Sequence, residues 1–427
     1  LLTCLYKRLI PAVRFALFAG LCVLGIALNV SGQSSSVVVD DPGLGQLQKL
    51  LDQQQQATTS GNPDAIAASS QSLIKLASSQ FYKVDASLKH SGSSPSQMRS
   101  LSKREHQLRQ ILADGFNDWG TSDAKRGQYG DALHHFQEAE RWDASTPGLM
   151  RNLGTAAFEL ENYAESIRTL GPIVSRSPED ERSRLMLAMS QFSLERFAEA
   201  AANFAIVSDL TMPDARTAYA WAYSLVRTNH PQQANAIADI LRTRSLPQDI
   251  RLLICKLYTA SESYELAIPC LRELIQQGPS MSDVHYELGA TLIRLDRPEQ
   301  AIPELRAELA INPNDMDAKY DLAYALLEGS QKEEAIELLR SILTLNPNYP
   351  QAQYQLGKVL LEGGNVNEAI EHLEIAARLD SASDFAHYQL QVAYRRAGRT
   401  SDANRELQRY KDLKAGKREG TVLEKTQ

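Results

Sequence analysis

Apolar and polar positions follow a helical beat along almost the whole of this chain. Between Gly43 and Leu112 the pattern predicts three helices. Leu44, Leu47, Leu50 and Leu51 mark a first apolar stripe that ends in the polar run Gln53–Gln56, read as a solvated helix face. Ser60-Gly61-Asn62-Pro63 is a break, with the proline placed to open a second helix from Ala65 to Leu88. Ser91 to Pro95 breaks the chain again, and Gln97 to Leu112 reads as the third helix.

Past that region the pattern becomes periodic. Leu288, Leu322, Leu356 and Leu390 are each 34 residues apart, as are Tyr286, Tyr320, Tyr354 and Tyr388. Followed backwards, a column of small residues reads Ala403, Ala369, Ala335, Ala301, Ala267, Ala234, Ala200, Ser166 and Ala132, with one step of 33 between Ala234 and Ala267. A second small column holds Gly120, Gly154, Ala188, Ala222, Cys255, Gly289, Ala323 and Gly357, with Gln391 in the last unit. Four residues after the alanine column come Phe136, Leu170, Phe204, Leu271, Leu305, Leu339, Leu373 and Leu407, with Ala238 the weak member. Late prolines such as Pro178, Pro213, Pro247, Pro279, Pro313 and Pro347 stop each second helix. A period of this length with two small columns, a large apolar residue and a late proline predicts stacked helix–turn–helix units that share one continuous core.

These residues resemble the tetratricopeptide repeat family, most closely in MSDVHYELGATLIRLDRPEQAIPELRAELAINPN, and the resemblance spans residues 113–417 in nine units. It implies an all-α solenoid, a right-handed superhelix whose first helices line a concave groove. It also implies a protein or peptide ligand in that groove and no chemistry. The groove candidates are Tyr219, Tyr223, Tyr286, Arg294, Tyr320, Tyr324, Tyr354, Lys358, Tyr388 and Arg395, with Arg227, Lys256, Glu328, Glu362 and Arg396 beside them. Tyrosine offers area and a hydroxyl at little entropic cost, which suits recognition. The alternative is that the tyrosine row is packing. The family's Lys and Asn clamp for a C-terminal carboxylate is absent, because those positions hold Tyr and Ala, Tyr, Lys or Val.

The chain therefore divides into a signal or anchor (1–32), a linker (33–42), an atypical helical cap (43–112), nine repeats (113–417) and a polar tail (418–427). The first 14 residues carry Lys7, Arg8 and Arg14, and Phe15 to Leu28 is an apolar run of 14. That run is short for a membrane span and suits a secretory signal cleaved before Gln33. An uncleaved membrane tether through residues 9–30 is the other reading. Both put the repeats outside the cytoplasm, in the periplasm or secreted.

Charge and composition remove other classes. The formal net charge of −7 includes +3 from residues 1–32, so the remainder carries −10 and lacks the basic footprint of a nucleic-acid binder. There is no His-Glu-x-x-His, phosphate loop or nucleophile elbow, and His134 and His135 fall on different helix faces. No enzyme, cofactor or metal is expected. Arg395 and Arg396 with Lys411, Lys414, Lys417 and Arg418 make the C-terminal end mildly basic, most simply a solvated capping helix. Cys255 and Cys270, on the two helices of one unit, are either a disulfide or two buried thiols. The functional expectation is a scaffold for a protein partner; a tethered self-assembling envelope protein and a glycan-binding module are the alternatives.

Overall fold

The computed structural model describes residues 42–89, 94–207, 214–278 and 281–424. The expected signal or anchor, nearly all of the linker, Pro213, Pro279 and the end of the polar tail lie outside these residues. The described residues form twenty α-helices and no strand, an all-α solenoid of helix–turn–helix hairpins. Two compact units divide between Leu241 and Arg242. The one irregular step in the alanine column, from Ala234 to Ala267, spans that division.

The N-terminal unit holds α1 (Pro42–Ser60), α2 (Pro63–Lys89), α3 (Pro95–Lys125), α4 (Tyr129–Trp142), α5 (Leu149–Glu159), α6 (Tyr163–Arg176), α7 (Glu181–Ser193), α8 (Phe197–Val207), α9 (Ala215–Arg227) and α10 (Pro231–Arg242). The C-terminal unit holds α11 (Gln248–Ala260), α12 (Tyr264–Gln277), α13 (Val284–Arg294), α14 (Pro298–Ile311), α15 (Met316–Glu328), α16 (Lys332–Leu345), α17 (Pro350–Glu362), α18 (Val366–Leu379), α19 (Asp384–Arg396) and α20 (Thr400–Glu424).

The cap and the first hairpin share a helix. The sequence pattern ends a cap helix at Leu112, yet α3 runs unbroken to Lys125 because nothing between them stops it. Ser94 opens α3 with a capping box, its hydroxyl accepting from the Gln97 amide while Gln97 accepts from the Ser94 amide. Its first half packs Leu108 and Leu112 into a core with Leu47, Leu73, Phe81 and Val84. Its second half presents Gly120 to Phe136 of α4. The glutamine run is also not wholly solvated. Gln54 is buried, donating to Ser70 Oγ at 2.9 Å and Asp118 Oδ2 at 2.7 Å and accepting from Ser69 at 2.6 Å. It ties α1 to α2 and α3, so the run is half solvated face and half polar core.

Within the hairpins, the two small columns do different work. A Cβ added at Gly154 would lie 2.6 Å from Leu170 Cδ2, and one at Gly357 would lie 2.6 Å from Leu373 Cγ. The first column is small because the large residue of the second helix sits directly on its backbone. The alanine column is buried throughout, and where Ser166 replaces alanine its hydroxyl accepts from Ser190 of the next first helix at 3.0 Å. Between the two helices each chain reversal uses one left-handed residue. Glu161, Glu195, Asn229, Glu262, Asp296 and Ser330 hold φ between 57° and 64°, and Gly127, Gly364 and Gly398 take the same place. Some first helices start on side-chain caps: Asp214 accepts from the Arg216 and Thr217 amides, and Asp315 from the Asp317 and Ala318 amides. On the second helices, Arg306–Glu334 and Arg340–Glu368 repeat one ion pair, and Arg168 reaches back instead to Glu140 of the preceding second helix. Such exposed pairs add little each.

Candidate functional site

The first helices of the C-terminal unit carry the candidate site. Contacts join α11 to α13, α13 to α15 and α17 to α19, so equivalent positions on these helices become neighbours. The tyrosine row follows them, and its exposure changes along the way. Tyr286 on α13 is 5% exposed, Tyr320 and Tyr354 are half-buried, and Tyr388 on α19 is 45% exposed.

The row is cross-linked from hairpin to hairpin. The Gln355 side chain hydrogen-bonds Tyr320, and the Gln389 side chain hydrogen-bonds Tyr354. Each rung thus joins a tyrosine to a glutamine 35 residues later. Burial pushes the Tyr320 hydroxyl up to about 12, with Asp321, Tyr324 and Tyr354 adding to it and Gln355 opposing. Burial also raises Tyr354. Tyr388 ends the row and packs against Tyr410 of α20 at 5.3 Å between ring centres.

At the α11–α15 end this face is closed by charge. Lys256, a groove candidate, is buried and its ammonium lies 3.0 Å from the equally buried Glu287 carboxylate. Asp321 is buried on α15; burial pushes it up to about 7 against the pull of Arg294, with Asp317 and Asp315 reinforcing. Arg294 and Tyr324 are half-buried, and burial with Glu328 and Asp296 nearby raises Tyr324. In the N-terminal unit Tyr219 and Tyr223 are buried and stack on each other at 6.0 Å. Tyr223 also meets Phe192 and Phe197 edge-on, while Arg227 lies over Phe197 at 4.6 Å. Tyr219, Tyr223, Tyr286 and Lys256 are therefore buried in the structure, with little surface open to a ligand.

The α17–α19 end stays open. Lys358 is half-buried and Arg395 exposed, and neither has an ion pair among the described residues. Arg396 is spent on the Leu361 carbonyl at 2.6 Å, and Glu362 on Lys332 at 3.4 Å. Phe385, which the sequence pattern did not single out, is 66% exposed one turn before Tyr388.

Cys255 of α11 and Cys270 of α12 are joined as a disulfide, both buried. Asp283, Glu308 and Asp315 gather carboxylate oxygens within 4.8 Å of one another, the described group best able to hold a metal ion. Two of the three already serve the backbone: Glu308 accepts from the Asp283 and Tyr286 amides, and Asp315 caps α15. They lie 25 and 7 residues apart, a spacing with no recognisable motif, so sequence reasoning missed them.

Family comparison matches this geometry. Models described as tetratricopeptide repeat match residues 117–171, 151–214 and 252–316, a second model 295–349 and a third 330–394. The chain carries tetratricopeptide repeats. No curated protein matches the sequence. Among solved structures, the chain is similar to MamA 41-end from Desulfovibrio magneticus RS-1, at 21% identity over 40% of this chain and 96% of that one, TM-score 0.38. It is similar to YrrB, described as a TPR protein with an unusual peptide-binding site, at 24% identity over 44% and 97%, TM-score 0.35. It is also similar to the APC/C hetero-tetramer Cut9-Hcn1, at 15% identity over 78% and 64%, TM-score 0.42. Among the described residues, no tetratricopeptide helix is long and apolar enough to cross a membrane.

Proposed function

We propose that this chain is a nine-repeat, non-enzymatic scaffold outside the cytoplasm that holds a protein or peptide along the first helices of its C-terminal unit. The observation that carries the reading is the tyrosine row, closed at Tyr286 and open at Tyr388, with Tyr320 and Tyr354 locked by glutamine rungs. Pre-set aromatic and amide groups lose little freedom on binding, which is what an extended ligand needs from a rigid surface. The compartment rests on the basic and then apolar start of the chain and on the Cys255–Cys270 bond, which suits an oxidising environment.

In-cell photocrosslinking tests the scaffold. A photoreactive residue replaces Tyr354 or Tyr388, with Glu337 on the exposed side of α16 as control. A discrete protein adduct from the two tyrosine positions alone supports the reading and names the partner by mass spectrometry. The same pattern from Glu337 sinks it.

A further inference from the structure

The open end of the row has a composition that its closed end lacks. Phe385 and Tyr388 are exposed aromatics one turn apart on α19, and Arg395 lies about two turns further along the same face. The bond from Arg396 to the Leu361 carbonyl sets the end of α19 against the end of α17. Lys358 sits one turn before Leu361 and Arg395 is the residue before Arg396, so both cations belong to this end of the α17–α19 pair.

Both cations lack an internal anion for identifiable reasons. Glu362, four residues after Lys358, is turned to Lys332. Glu374 and Asp402 are taken by Arg399, and Glu406 by His387 at 2.6 Å. Further along the face Lys256 is paired with Glu287, while the half-buried Arg294 has no ion pair among the described residues and lies near the buried Asp321. Two cations with no ion pair among the described residues, on the same helix pair as two exposed aromatics, suit carboxylates on an extended chain.

Resting on the scaffold reading, we propose that the α17–α19 face binds an extended acidic peptide, its carboxylates on Lys358 and Arg395 and an apolar side chain on Phe385 and Tyr388. Arginine and lysine supply charge-assisted hydrogen bonds, and the aromatic rings supply the desolvated contact beside them.

The test is fluorescence anisotropy on the full chain. The probes are a fluorescein-labelled peptide alternating Glu with Leu and Phe, and its counterpart with Gln in place of Glu. The acidic peptide binds about tenfold tighter or more. That preference falls with added salt. Lys358→Glu with Arg395→Glu abolishes it, Phe385→Ala with Tyr388→Ala weakens both peptides, and Arg378→Glu on α18 changes nothing. All are exposed or half-buried positions, and unchanged thermal unfolding confirms that the fold is kept. Equal binding of the two peptides, or indifference to the charge reversal, overturns the acidic ligand. A groove-specific crosslink obtained alongside that result leaves the scaffold standing and removes only its charge preference. Self-association in sedimentation that the charge reversal dissolves makes the occupant a second copy of this chain, and also overturns the proposal.

Discussion

The Lys256 ammonium lies 3.0 Å from the Glu287 carboxylate, and both residues are buried between the first helices of successive hairpins. One Glu287 oxygen, Oε2, has no hydrogen-bond partner among the described residues, so the pair is held by its charge more than by full solvation within the protein. Removing one partner leaves a buried charge alone, whereas removing both leaves none. Lys256→Met should therefore cost about 3–5 kcal/mol of the C-terminal unit's stability, and Lys256→Met with Glu287→Leu far less. Urea unfolding of the four members of that cycle reads the difference. Additive losses would mean the two charges do not interact.

Asp321 is the second buried acid of this face, and its stability effect has the opposite pH sense from a salt-bridged carboxylate. Its folded value, about 7, stands above the unfolded one, so the fold holds the proton that the unfolded chain releases. Stability from this group is complete below pH 4 and is lost as pH rises through 7. Asp321→Asn removes that loss, which amounts to ~4 kcal/mol at most for a gap of this size. The variant should melt several degrees above the parent at pH 8 and level with it near pH 4. Parallel melting curves at both pH values would place Asp321 in water.

Gly357 and Gly45 are both helical glycines with opposite forecasts. Alanine gains about 1 kcal/mol over glycine in a helix. At Gly45 of α1, where an added Cβ meets nothing within 4 Å, that gain should appear. At Gly357 the same Cβ stands 2.6 Å from Leu373 Cγ, at the branch of a buried side chain. Overpacking of this kind costs about 1–3 kcal/mol, which outweighs the propensity gain. Gly45→Ala should raise the urea midpoint and Gly357→Ala lower it; a shift of the same sign in both contradicts the close-packed column.

The contrast between these glycines also explains what was legible in the sequence. Gly357 and Leu373 lie in one hairpin, so their contact leaves a fixed spacing that recurs in every unit. Fold, hairpin period and both small columns follow from that local rule. Burial of Tyr286 and exposure of Tyr388 do not, since each depends on whether another first helix packs on it: α15 does so beyond α13, and among the described residues no first helix follows α19. Where a first helix does follow, the contacts come from side chains 31 to 35 residues away, such as the Lys256–Glu287 pair and the Tyr320–Gln355 rung. Gln54 was misread for the same reason: its partners Ser70 and Asp118 are on two other helices, and no helical period reports them. Phe385 was invisible because a lone apolar residue on an amphipathic helix looks like core.

The bond between Cys255 and Cys270 links α11 to α12 across a sequence separation of 15. Closing a loop of that length stabilises by about 3 kcal/mol through the unfolded chain. A reductant should lower the parent's urea midpoint accordingly and leave a Cys255→Ala, Cys270→Ala variant unmoved. Four free thiols titrated in the unfolded, unreduced full chain, rather than the two of Cys4 and Cys22, would mean that the natural protein does not form the bond.

The tyrosine row predicts a separation of stability from binding along one register position. Tyr286 is buried, so Tyr286→Ala leaves a cavity and should cost about 3–5 kcal/mol. Tyr388 is 45% exposed and keeps one ring contact, with Tyr410, so Tyr388→Ala should cost about 1 kcal/mol or less. Tyr354, half-buried and bonded by Gln389, belongs between them. Binding should run the other way: loss of Tyr388 removes surface that a ligand can touch, while loss of Tyr286 removes none. Thermal melts and crosslinking yields on the three alanine variants supply both rankings. Equal stability losses would make the whole row packing, and the scaffold would then have to hold its partner on some other face.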